Sequence, residues 1–218
     1  MSIIFHTRWI WLGAASLALA LNAGCGALFP STMAAPSFYT LDGAPTATSA
    51  VAVSASPGTI AAPTLIVNPP GAVSGFDGPH IIYVRGSHMH EYFAHSDWVD
   101  TPARMLAPLI VVAVENGGAF RAVVLSPSVA AGDMRLDTQI VRLEQNFDTK
   151  PSRVRFTLRA YLVDDATRRV LASRDFDETV SAESEDPYGG VVAANRAVQV
   201  ALGKLASFCS QVAQTWHQ

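Results

Sequence analysis

The sequence predicts an α+β fold: a mostly antiparallel β-sheet with two main helices packed on one face. Three observations predict it. Residues 133–147, 153–163 and 170–180 read as long strands that follow one another through short turns. Residues 100–118 and 191–216 carry apolar residues at three- and four-residue steps, which is the helix period. A sheet so built presents one apolar face, and two amphipathic helices are what would cover it. The chain has 218 residues, half of them hydrophobic, enough for one domain with a substantial core.

Each element has a local reason. "SFYTL", Ser37 to Leu41, reads as a short strand inside a stretch otherwise rich in Ala, Pro, Ser, Thr and Gly. "TLIVNPP" is a strand stopped by two prolines. "HIIYV", His80 to Val84, is the next strand, and Gly86–Ser87 turns it into a second short one carrying Tyr92 and Phe93. A helix follows, with Asp100 or Thr101 as N-cap and Pro102 in its first turn. Leu106, Leu109, Ile110, Ala113 and Val114 form its apolar face, Gly117 and Gly118 end it, and Pro108 predicts a kink or wide turn within it. Trp98, just before this helix, is expected to help seat it. "FRAVV" is a return strand. In "DMRLDTQIVRLEQNF" the apolar parity changes from Met134, Leu136, Thr138 and Ile140 to Val141, Leu143 and Phe147, which predicts a bulge near Ile140. "RVRFTLRAYLV" points Val154, Phe156, Leu158, Ala160 and Leu162 inward, and Arg153, Arg155, Thr157 and Arg159 outward. "DDATRR" is a turn into the strand "VLASRDFDETV". Pairing Leu158 with Phe176 sets Arg159 opposite Asp175, which satisfies both faces. The last helix carries Val191, Ala194, Val198, Ala201, Leu205, Phe208, Cys209, Val212 and Trp216 on one stripe.

The N-terminus has a different purpose. His6 and Arg8 precede an uncharged run from Trp9 to Leu21. As a helix this run would span roughly 20 Å, short of the ~30 Å hydrocarbon core, so it reads as a secretory h-region. It ends in "LNAGC", with Ala23 and Gly24 directly before Cys25, and this resembles the lipobox of bacterial lipoproteins. Asn22 departs from the usual Leu three positions before the cysteine. The expected organisation is a lipoprotein signal peptide at 1–24, a lipidated and flexible tether at 25–62, and a single α+β domain at 63–218. Acyl chains on Cys25 would hold the protein to a membrane. Gly26, where inner-membrane retention favours Asp, points to the inner leaflet of the outer membrane, with the domain in the periplasm. With Cys25 lipidated, Cys209 has no partner within the chain, and its place on the apolar stripe predicts a buried, inert thiol.

Charge and motifs narrow the function. The net charge is −3, with no basic run, which argues against nucleic acid and against a polybasic membrane patch. No nucleophile elbow, phosphate loop or dinucleotide-binding glycine pattern occurs, and the expectation is a non-enzyme without cofactor. His88, His90 and His95 are three histidines within eight residues, but no Cys, Asp or Glu is placed obviously to complete a metal site, so they read as hairpin histidines. Arg153, Arg155 and Arg159 form a basic stripe that could meet lipid phosphates or an acidic partner, or pair with Asp175 and its neighbours.

The order of features then resembles a known family. A lipobox cysteine, a tether containing Phe38 and Tyr39, Tyr83 with Arg85, Tyr92 with Phe93, and Trp98 before Pro102 and Leu106 come first. Gly118, Phe120 and Arg121, then Arg168, Arg169, Leu171 and Phe176, complete the series. Together they look like the ABC-type transport auxiliary lipoproteins, which include the paraquat-inducible protein C-like lipoproteins. The resemblance implies a non-catalytic accessory or docking component of an envelope lipid transport system. Its implied partners are an MCE-type periplasmic substrate-binding protein and its ABC transporter, and it implies a homo-oligomer. The alternative is an assembly or plug lipoprotein of an outer-membrane β-barrel complex. Tyr92, Phe93, Trp98, Arg153, Arg155 and Arg159 are the candidate docking or motif positions.

Overall fold

The computed structural model describes residues 35–42 and 62–216. In chain order, the strands and helices among them are β1 (Ser37–Tyr39), β2 (Thr64–Val67), β3 (Gly71–Ala72), β4 (His80–Val84), β5 (His90–Trp98), α1 (Pro102–Asn116), β6 (Ala122–Leu125), β7 (Met134–Asn146), β8 (Arg153–Asp164), β9 (Val170–Ser181) and α2 (Pro187–Thr215). The fold is α+β as the sequence predicts. Cys25, the signal peptide and most of the tether lie outside the described residues.

β7 is the spine of the sheet. Along one side it pairs antiparallel with β8 over its whole length, and β8 pairs in the same way with β9. Along the other side it meets β2, β3 and β4 in succession, each in short parallel pairing. β2 carries β6 on its outer side, and β4 carries β5 and then β1. Most paired residues therefore sit in antiparallel ladders. The register shift in β7 lies between Ile140 and Arg142. Ile140 and Leu143 are both buried, so the extra residue returns the apolar side chains to the core face, as the parity change requires. The predicted pairing of Leu158 with Phe176 and of Arg159 with Asp175 is the observed register.

The core lies between this sheet and the helices. Val154, Phe156, Leu158, Ala160 and Leu162 are buried, as are Val191, Ala194, Val198, Ala201, Leu205, Phe208 and Cys209 of α2. Removing a side chain such as Phe156 or Leu205 from water contributes about 1.5–3 kcal/mol each. Many of the buried α2 positions are Ala (193, 194, 197, 201, 206 and 213), which lets the helix backbone approach the sheet closely. The end of α1 lies against α2, where a Cβ on Gly117 would come within 3.1 Å of Ser210 Oγ. Thr101 is the N-cap of α1 and Pro102 its first residue, and the helix continues through Pro108, an exposed position. Gly118 takes the left-handed conformation, φ +66°, that ends such helices.

Three details differ from the sequence reading. α2 begins at Pro187 rather than Val191, because Asp186 accepts the Gly189 N–H at 2.8 Å and caps an extra turn. Thr157 is buried although its parity points outward, since its hydroxyl donates to Asp177 at 2.9 Å. The strand at residues 37–39 is part of the sheet: it pairs with Ser96–Trp98, and Leu41 just after it is buried. Asn195 of α2 holds that segment, donating to Thr40 O at 3.1 Å and accepting from Asp42 N at 2.7 Å. A side-chain amide does here what a neighbouring strand would do.

Candidate docking surfaces

The β4–β5 hairpin carries aromatic and imidazole rings: His80 and Tyr83 on β4, and His90, Tyr92, Phe93 and His95 on β5. Tyr83 packs against Phe93 (4.6 Å between centroids) and Phe147 (5.7 Å). The Arg85 guanidinium lies 4.9 Å over the Tyr83 ring and 5.3 Å over Phe147, a cation–π arrangement. A hydrogen bond with Glu91 raises the Tyr83 phenol above its ordinary value. Tyr92, 61 % exposed, stacks on His80 at 4.6 Å, and His80 Nδ1 lies 2.8 Å from Asp97. The tip is shaped by its backbone: Gly86 and His88 both have positive φ, and Asp148 accepts the Gly86 N–H at 2.6 Å. That bond ties the hairpin to the β7–β8 turn.

The three histidines do not converge. His88 sits in the turn with φ +68°, His90 Nε2 lies 3.2 Å from Glu144, and His95 is exposed further along β5. Among the described residues no group of three or more His, Cys, Asp or Glu is arranged to hold a metal ion. Trp98 is only 4 % exposed and belongs to the core, so it offers nothing to a partner.

The open sheet face holds the arginine stripe. Arg155 grips Asp177 through two bonds of 2.9 and 2.6 Å, and Arg159 grips Asp175 through two of 2.8 Å. The Arg155 guanidinium holds Asp177 down to about 2, and Arg159 lowers Asp175 likewise. Each arginine is correspondingly raised by its carboxylate. This stripe is therefore largely neutralised, whereas exposed Arg153 has no such carboxylate among the described residues. Burial raises the Cys209 thiol to about 12, the environment of an unreactive thiol.

Two grooves flank α2. One, of about 570 Å³, lies between β1 and the first turns of the helix and is lined by Phe38, Tyr188, Val192 and Arg196 among others. Phe38 and Tyr188 are each 63 % exposed. The other lies between β9 and α2. Sequence reasoning found the hairpin aromatics and the arginine stripe. It missed both grooves and the Asn195 clamp, since a lone Asn on a helix carries no signal for a partner more than 150 positions away.

Fold and surfaces together define a module built of a polar open face, an aromatic hairpin and helix-side grooves. The chain belongs to the family of ABC-type transport auxiliary lipoprotein components, whose profile matches residues 39–206. It is thus a lipoprotein component of ABC-type transport. Among solved structures, a DUF330 protein from Xanthomonas campestris is similar, with 23 % identity over 72 % of this chain and 88 % of that one, at a TM-score of 0.66. An uncharacterised protein shares 12 % identity over 81 % of this chain and 99 % of its own, at 0.61. Both likenesses establish the shared fold. No curated protein matches the chain.

Proposed function

We propose that this lipoprotein is an accessory, docking component of an MCE-type envelope lipid transport system. In this reading it is held by acylated Cys25 in the inner leaflet of the outer membrane, with its α+β domain facing the periplasm. It acts by binding, as an oligomer of its own chain, against the periplasmic substrate-binding protein that feeds the ABC transporter. The observation that carries the reading is the family match across residues 39–206, because the family is defined by service to ABC-type transport. The surfaces agree with it: the conspicuous exposed features are rings, grooves and a strand edge, the furniture of protein contact.

The test is to cross-link intact cells, extract with detergent and isolate the tagged full chain. The expected co-purifying protein is of the MCE type, and Cys25→Ala should abolish the yield by releasing the chain from the membrane. Recovery of an outer-membrane β-barrel in its place would favour the assembly or plug role. Recovery of neither would overturn the docking reading.

A further inference from the structure

β9 is a long edge of the sheet with only one side in use. It pairs with β8 from Ser181 back to Val170 and, among the described residues, has no strand on its other side. The bond from Ala182 N–H to Ser152 O, 2.8 Å, lies just beyond the Arg153–Ser181 pair and fixes the ladder's phase. Val180, Glu178, Phe176 and Arg174 are the residues that exchange bonds with β8. The N–H and C=O groups of Ser173, Asp175, Asp177, Thr179 and Ser181 therefore point away from β8. The register is unbroken from Ala172 to Ser181 and holds no proline. Edges that resist pairing use bulges, prolines or projecting lysines. Here Asp175 and Asp177 are instead drawn onto β8 by Arg159 and Arg155.

Beside this edge, on the helix side of the sheet, lies a groove of about 600 Å³ between β9 and α2. Its α2 wall is Val200, Gly203, Lys204 and Ser207. Val200 is 45 % exposed, and a Cβ on Gly203 would meet nothing within 4 Å. Its β9 wall includes Arg174, whose guanidinium lies 4.9 Å over the Phe208 ring and has no carboxylate partner among the described residues. Lys204 is paired with Glu178 at 2.6 Å, so among the described residues Arg174 is the free cation of this groove.

An unpaired ladder takes extended backbone. A second copy supplies it poorly. Among the described residues its outer edges other than β9, namely β1 and β6, are 3 and 4 residues long. Antiparallel β9–β9 pairing in the register that sets Arg174 opposite Glu178 would offer Arg174 only a carboxylate that Lys204 already holds at 2.6 Å. We propose that the β9–α2 groove takes an extended segment of a different protein, added to the sheet as a further strand. That segment places an acidic side chain at Arg174 and small or apolar ones over Val200 and Gly203. The backbone ladder provides affinity and the alternating side chains provide specificity. This deepens the docking reading by naming its surface, and the two fail separately: co-purification tests the partner, whereas the following experiment tests the edge.

The probe is a displayed random decapeptide library, selected on the full chain in detergent and on three variants. Gly203→Trp fills the groove, Thr179→Pro removes one outward N–H and leaves the β8 ladder intact, and Arg174→Glu reverses the charge. Enriched peptides should carry an acidic residue at one fixed position. They should bind the first two variants at least about tenfold more weakly and give way to basic sequences on the third. Amide exchange should show new protection at Ser173, Asp175, Asp177, Thr179 and Ser181 on binding. Retained protection at Arg174, Phe176 and Glu178 shows that each variant is folded. No enrichment, or equal binding to Gly203→Trp and Thr179→Pro, overturns the proposal. So does protection of the odd-numbered amides that grows with protein concentration without peptide, which would give the edge to a second copy.

Discussion

Gly190 should be irreplaceable, for a reason that lies 45 positions away in sequence. It occupies the first turn of α2, where glycine has no conformational need to be: its φ is not positive. A Cβ there would overlap the Oε1 and Cδ of Gln145. Gln145 is 2 % exposed, and its Nε2 donates to Ser152 Oγ at 3.0 Å. Gly190→Ala gains up to about 1 kcal/mol of helix propensity. Against this, overpacking costs about 1–3 kcal/mol, and displacing a buried, bonded amide costs about 1–3 kcal/mol more. The balance is a net loss of at least about 1 kcal/mol and roughly 3 kcal/mol at the middle of these ranges, or a Tm decrease of about 6–12 °C at that middle value for a chain of this length. Urea unfolding of the full chain in detergent, followed by far-ultraviolet circular dichroism, measures it. Adding Gln145→Ala opens the space, so the double variant should be more stable than the sum of the two single changes by more than about 1 kcal/mol. A Gly190→Ala protein as stable as the parent, or one showing no coupling to position 145, would refute the reasoning.

The remaining predictions concern single groups. Asn195→Ala removes both bonds to the segment at Thr40 and Asp42; faster amide exchange at Asp42, with only a small change in global stability, is the expected result. Cys209 should resist a thiol reagent at pH 8 and react only on unfolding, because burial raises its thiol to about 12; labelling at the same rate as a free thiol would contradict the buried setting. Asp175 and Asp177 have lowered native pKa values, Asp177 to about 2. Their contribution is therefore full above the unfolded value near 4 and lost as pH falls through the native one. Both pairs are well exposed, so solvent screens them and the contribution of each is small. Acid titration of Asp175→Asn/Asp177→Asn should show a shallower stability loss between about pH 4 and pH 2, with no change from pH 5 to 8.

The sequence was most legible where side-chain parity and register coincide. Val154 to Leu162 alternates without interruption, and one hydrophobic pair, Leu158 with Phe176, was enough to align the whole β8–β9 ladder because a one-residue slip would expose the core face. The bulge at Ile140 was legible for the same reason, as a break in that alternation. What stayed hidden depends on long-range or backbone geometry. β7 pairs on one side with three different strands, β2, β3 and β4, and no local pattern specifies such a branch. The extra first turn of α2 was obscured by the two glycines of "PYGG". Glycine weakens helix propensity, yet here it is required because a Cβ at Gly189 would collide with Ser184 and one at Gly190 with Gln145. The arginine stripe was legible as charge. The Leu158–Phe176 register also set Arg159 opposite Asp175; what it did not give is that Arg155, which faces Thr179, reaches diagonally to Asp177.

That distinction bears on which cations can recognise a partner. Arg155 and Arg159 each direct two N–H donors at a carboxylate, and breaking such a pair to bind something else forfeits what the pair contributes. Arg85 and Arg174 are held differently. Each lies over aromatic rings, Tyr83 with Phe147 for one and Phe208 for the other. Stacking orients a guanidinium through its flat face and leaves the N–H groups around its rim free to donate. Such an arginine is pre-positioned for an incoming carboxylate without having to abandon one already bound. The cations of this surface best suited to recognition are therefore Arg85 at the hairpin tip and Arg174 in the β9–α2 groove, rather than the paired Arg155 and Arg159 of the stripe that is most conspicuous in the sequence.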